Sequence, residues 1–228
     1  MPRIARVVAA GYPHHITQRG NYQQEIFSDD RDREKYISLI ENENKRYGLI
    51  ILAYCLMSNH VYVIGVPKRE DSMWNVFKYV NMKYSQYHNR RMGISGHLFQ
   101  GRFFSCVMDE QHTMACARYI ERNPVRAKIV KKPWNWKWSS AKVHCGLDRY
   151  DKLGVRNLFD YIDIDEGRDG WKGFIEEVDN AEEIKEIREQ TRRGRPLGGS
   201  SFVERLEGKY NRSLKLKSRG RPRKKMKK

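Results

Sequence analysis

The stretch Tyr54 to Pro67, YCLMSNHVYVIGVP, constrains this chain more than any other. Two apolar runs, Ile50 to Met57 and His60 to Val66, meet at the polar pair Ser58-Asn59, a pattern that predicts two strands joined by a tight connection. Side chains alternate along a strand, so His60 and Tyr62 project to one face while Val61 and Val63 project to the other. A polar ledge on a buried strand is a place for a site. Taken alone, a histidine at a strand end is more often a hydrogen-bonded packing residue than a ligand, so a second motif must answer it.

That answer is Met114 to Val125, MACARYIERNPV. Met114, Ala117 and Ile120 form one apolar helical stripe, and Tyr119 falls off it. Its same-face neighbours are Ala115, Cys116 and Asn123, so two small side chains leave room around a phenol and an amide. Pro124 disfavours helix at Asn123, which places the amide at the helix end, where it can also simply cap the last turn.

The remaining pattern sets the fold class. Tyr12 to Arg19 reads as a first strand closed by Gly20-Asn21, with His14 and His15 on opposite faces, expected as a strand edge or DNA contacts. Asp29 to Tyr47 reads as a helix capped by Asp29 or Asp30 and ended by Gly48. Asp71 to Met92 is a second helix, and Leu98 to Met108 holds a fourth strand, with Arg102 placed to reach a phosphate. This order predicts an α+β fold, a ferredoxin-like antiparallel sheet with helices packed on one face, plus a helical and basic C-terminal extension. Trp134 to Ser140, WNWKWSS, reads as packing at a chain reversal rather than as a stacking surface for bases. Asp160 to Gly170 reads as a solvated linker and Trp171 to Gln190 as one helix.

Together the strand SNHVYVIG and the helix RYIERNPVRA, with HHITQRGN before them and WKWSSA after, resemble the IS200-like single-tyrosine transposases, in particular the branch associated with REP elements. The resemblance spans roughly the first 140 residues, and four motifs in the right order carry it. It implies Tyr119 as nucleophile, with His60 and Asn123 as metal ligands. The position of the family's second histidine holds Tyr62, a phenol with an ordinary pKa near 10 that replaces imidazole poorly around a divalent ion. Tyr62 is therefore a ligand through oxygen or the mark of a chain that kept DNA binding and lost cleavage.

A tyrosine oxygen attacking a phosphodiester conserves the bond energy as a phosphotyrosine, so a strand can be resealed without an external energy source. Positioning and charge neutralisation carry such transfers, and imidazole, amide and water ligands suit Mg2+ or Mn2+. The resemblance further implies single-stranded DNA beside an imperfect hairpin as substrate, and a homodimer. The alternative is a domesticated DNA-binding or regulatory protein derived from such an enzyme. An RNA-binding reading is disfavoured by the lack of an RNP aromatic signature.

Charge points to a polyanion. Residues 191–228 hold 15 Lys or Arg against 2 acids, so they carry 13 of the formal +17. They contain Arg193-Gly194-Arg195-Pro196 and Arg219-Gly220-Arg221-Pro222, two copies of a tetrapeptide that resembles an AT-hook core, in which an extended backbone lets arginines enter a narrow minor groove. The bland reading is a basic arm holding any nucleic acid through its phosphates. Ser200 to Leu206 between them has the pattern of a short helix. Cys55, Cys106, Cys116 and Cys145 form no CxxC pair and read as reduced packing residues. No run is long and apolar enough for a membrane helix and no signal-peptide core opens the chain, so a cytoplasmic protein is expected. The organisation expected is a catalytic domain at 1–150, a linker and accessory helix at 151–190, and a basic DNA-binding tail at 191–228.

Overall fold

The computed structural model describes residues 6–155, 158–162 and 167–214. Four strands, β1 (His14–Arg19), β2 (Leu49–Leu56), β3 (His60–Pro67) and β4 (Phe104–Val107), form one antiparallel sheet in the order β2-β3-β1-β4. β2 and β3 are the expected hairpin, closed by the Met57 N–H donating to the His60 carbonyl at 2.9 Å. Helix α1 (Asp30–Tyr47) joins β1 to β2, and α2 (Ser72–Met92) joins β3 to β4, the split βαβ arrangement of a ferredoxin-like sheet.

Local chemistry sets the helix ends. The Asp29 carboxylate accepts from the Asp32 N–H, and Gly48 at φ 70° takes the left-handed turn that releases the chain into β2. Asp109 caps α3 (Glu110–Glu121) in the same way through the His112 N–H. Beyond it lie α4 (Asn123–Arg126), α5 (Ala141–His144), α6 (Gly167–Glu176), α7 (Ala181–Arg193) and α8 (Ser200–Tyr210).

The alternation expected for β3 is observed. Val61 and Val63 join Ile16, Tyr54 and Leu56 in the core beneath α1 and α2. Tyr62, Ile64 and Val66 join Cys55, Cys106, Tyr119, Ile120 and Ile187 in a second core on the other face. A bulge between Ile51 and Ala53 in β2 places Leu52 and Ala53 together in that second core. The α+β class stands, but helices cover both faces: α1 and α2 lie on one, and α3, α6 and α7 on the other. The crossover connections fill the first face, so the tyrosine helix, which follows the last strand, packs on the side still open.

Three local expectations change. β1 is an inner strand, so His14 and His15 are buried rather than at an edge. The single helix expected over Trp171 to Gln190 is two, because the Asn180 side chain caps a new start at Glu182 and Glu183 and leaves Val178 exposed in the break. Pro124 does not end the helical path at Asn123; it opens the next turn, α4, with Asn123 as its first residue. The tryptophan-rich segment does pack a reversal: Trp138 is buried and donates to Asp30, and Trp136 donates to the Leu56 carbonyl.

Candidate active site

Strand register brings the polar ledge together. Arg19 pairs with His60, Thr17 with Tyr62 and His15 with Ile64, so His60, Tyr62 and His15 point to the α3 face. Their rings form a ladder: His60 stacks on Tyr62 with centroids 5.7 Å apart, and Tyr62 on His15 at 6.2 Å. Tyr119 descends from α3 and sets its ring edge-on to Tyr62 at 6.0 Å and to His15 at 5.9 Å. All four residues belong to one chain, so no second copy is required to assemble the cluster.

The Tyr119 ring is buried, with 4% of the residue exposed. Two arginines hold it. Arg126 lies 4.6 Å from the ring centroid and donates to the Tyr119 carbonyl, to the Asn123 side-chain oxygen at 2.8 Å and to Asp179 at 3.1 Å. Arg188, from α7, donates through Nε to the Tyr119 phenolic oxygen at 3.3 Å. Asp179 also receives Arg122 at 2.8 Å, so one carboxylate in the α6–α7 link fixes the turn that carries the tyrosine.

Hydrogen-bond logic settles the His15 tautomer. The Thr191 hydroxyl gives its proton to the Ile187 carbonyl at 2.7 Å, so at its 2.7 Å contact with His15 it accepts, and Nδ1 of His15 carries hydrogen. Nε2 of His15 is then a bare acceptor, buried without a hydrogen-bond partner among the described residues. Burial lowers the His15 pKa to about 3, and burial with the nearby Arg19 charge lowers that of His60 to about 4. Both rings are neutral at pH 7. Burial, with Tyr119 adjoining, pushes the Tyr62 phenol well above its ordinary value, so it keeps its proton.

These protonation states bear on metal binding. His60 spends Nδ1 on the Asn59 side-chain oxygen at 2.6 Å, leaving Nε2 as its donor to an ion. Tyr62 is a protonated phenol, and the Asn123 oxygen already accepts from Arg126 while its nitrogen is buried and, among the described residues, unpartnered. Among the described residues no three His, Cys, Asp or Glu side chains gather where they could hold an ion. One imidazole, a neutral phenol and an occupied amide do not fit a three-ligand divalent site.

The IS200-like transposase model matches residues 9–123, which include the whole sheet, the histidine strand and the tyrosine helix. The chain belongs to the IS200-like transposase family. A search of curated proteins gave no match. Among solved structures, a REP-associated tyrosine transposase bound to a REP hairpin superposes with a TM-score of 0.54 at 17% identity, over 79% of this chain and all of that one. At that identity the likeness concerns the fold, and it takes in more of the chain than the family model does.

The other residues expected to touch DNA by this transposase lie elsewhere. Arg102 is exposed beside α2, where it lines a cavity of about 220 Å³ with Arg6, Trp74, Phe77 and Lys78. The first Arg-Gly-Arg-Pro is folded rather than extended: Arg193 ends α7 and pairs with Glu189, Gly194 at φ 66° caps the helix, Arg195 donates to the Leu214 carbonyl, and Pro196 is buried. A helix C-terminus that requires left-handed glycine explains that Gly as well as an AT-hook does. The second copy, Arg219 to Pro222, lies outside the described residues.

Sequence reasoning missed His15, Arg126 and Arg188. Arg126 carried a signal, since it lies seven residues after Tyr119 and hence on its helical face. His15 would have required the β1–β3 register. Nothing near Arg188 marks it.

Proposed function

We propose that this transposase is a single-strand DNA endonuclease and strand transferase that acts beside a hairpin through a 5′-phosphotyrosine on Tyr119. The Tyr119 oxygen attacks the backbone phosphorus, the bond from phosphorus to the 3′ oxygen breaks, the phenolic proton leaves to solvent, and the departing oxygen takes one up as a free 3′-hydroxyl. A later attack by a 3′-hydroxyl reverses the step and joins strands. The observation that carries this reading is the placement of Tyr119: a nearly buried ring held by Arg126, its oxygen facing Arg188, against Tyr62 and His15, with His60 stacked on the far side of Tyr62. Of the Mg2+ or Mn2+ that the resemblance brings, His60 is the best available ligand. Arg102 and the basic residues after Leu214 supply phosphate contacts, the chain works in the cytoplasm, and two copies associate as a homodimer. No helix among the described residues is long and apolar enough to cross a membrane.

The test is to incubate the protein with a labelled hairpin oligodeoxynucleotide carrying a single-stranded flank, with manganese, and to look for a denaturation-resistant adduct. We expect an adduct with the natural chain and none with Tyr119→Phe. The mismatched metal donors favour one other reading, a DNA-binding protein descended from such an enzyme. Binding with no adduct, and an adduct restored by Tyr62→His, would establish that second reading instead.

A further inference from the structure

Arg188 lies far outside residues 9–123, the part of the chain that the family model covers, yet it touches the atom expected to react. Its Nε donates to the Tyr119 oxygen at 3.3 Å, and its guanidinium carbon sits 5.7 Å from the ring centroid. The phenol is buried but Arg188 is exposed, and among the described residues its two terminal nitrogens make no hydrogen bond or ion pair. The helix beneath it is fixed. Ile184 and Ile187 are buried in the core, and Thr191, one turn on, accepts from His15 of β1. A rigid element thus carries a planar five-donor fork with one donor on the tyrosine and, among the described residues, the other four not engaged in a hydrogen bond, an arrangement that suits a phosphate.

We propose that Arg188 is a catalytic residue of this site: Nε holds the Tyr119 oxygen for attack while the terminal nitrogens bind a non-bridging oxygen of the scissile phosphodiester. The proposal rests on Tyr119 being the nucleophile. It assigns to a guanidinium part of the charge neutralisation that an incomplete set of metal ligands would otherwise provide, and it makes α7 part of the active site. A permanent cation touching both the attacking oxygen and the phosphate favours the more highly charged transition state. The Tyr119 contact in turn raises the Arg188 pKa above its ordinary value, so the charge is secure across the working pH range.

The experiment compares the natural chain, Arg188→Lys and Arg188→Gln in single-turnover adduct formation on the labelled hairpin oligonucleotide, with urea midpoints measured alongside. We expect Arg188→Gln to slow the step by about 10²–10³-fold, as for loss of one transition-state donor, with Arg188→Lys intermediate and the urea midpoints unchanged. A full rate in Arg188→Gln overturns the proposal. So does an equal loss in both variants accompanied by lowered urea midpoints, which would show that Arg188 merely packs. A second arm needs no chemistry. In a Tyr119→Phe background, Arg188→Gln should reduce the slope of log affinity against log salt for the same oligonucleotide by about 0.7, one single-strand phosphate contact. An unchanged slope overturns the phosphate contact. A reduced slope in a chain that forms no adduct upholds it while the nucleophile assignment to Tyr119 falls.

Discussion

His15 differs from an ordinary surface histidine in three respects: it is neutral, buried and, among the described residues, hydrogen-bonded through Nδ1 alone. Its folded pKa, about 3, lies below the ordinary 6.5, so the unfolded chain binds the proton more readily. The stability this contributes is complete above pH 6.5 and is lost progressively as pH falls toward 3, at up to roughly 1.4 kcal/mol per pH unit while the unfolded state is protonated and the native state is not. His14 and His60, both lowered to about 4, act in the same direction. Urea midpoints should therefore fall between pH 6.5 and 4, and His15→Phe, which keeps a ring against Tyr62, should flatten that dependence. An unaltered slope in the variant would show that the ring is not buried neutral. Tyr62 and Tyr119 carry the same chemical group to different ends: Tyr62 keeps its proton on the ledge, whereas Tyr119 meets Arg188 through its oxygen.

At the level of elements, the tyrosine helix is held by its ends. Glu121, two residues after Tyr119, is fully buried and accepts from Ser140 at 2.5 Å, His144 at 2.6 Å and Trp171 at 3.1 Å, so α3, α5 and α6 converge on one carboxylate. Three donors around a buried acceptor leave each of them orphaned when it is removed. Glu121→Ala should cost about 3–5 kcal/mol in urea unfolding and reduce adduct formation by loosening the turn beneath Tyr119. A loss under 1 kcal/mol would mean that the three donors find other partners. At the other end, Asp109 caps α3 and also accepts from the Gly199 N–H at 2.9 Å, tying the start of α8 to the start of the tyrosine helix. The segment expected as a linker and accessory helix is stitched to the site at Asp179 and Arg188, and the first residue of the expected tail at Thr191, none of which a local pattern singles out.

For the whole molecule, the sheet separates two tasks. One face holds the aromatic core of Phe27, Tyr36 and Tyr84 under α1 and α2, which keeps the strands in register. The other holds the tyrosine and its arginines. Charge is distributed unequally as well, since nine of the Lys and Arg residues follow Leu214. Truncation after Leu214 should weaken binding to hairpin and random single strands alike and reduce the salt slope by about 0.7 per lost phosphate contact. The position of cleavage should stay unchanged. A shift in the cleavage site on truncation would assign sequence reading to the tail instead.

The alternating apolar pattern and the capping residues were enough to determine the strand order in the chain, the antiparallel class and the His60–Tyr62 ledge, because period and turn chemistry are local properties; the pairing of that ledge with the helix bearing Tyr119 came from the family resemblance. Which face that helix covers, that β1 is interior, and that His15 and Arg188 complete the cluster were decided only in three dimensions. Those outcomes depend on contacts between residues as far apart as 15 and 191, whose register and packing are set by the whole core and leave no mark in the neighbouring sequence.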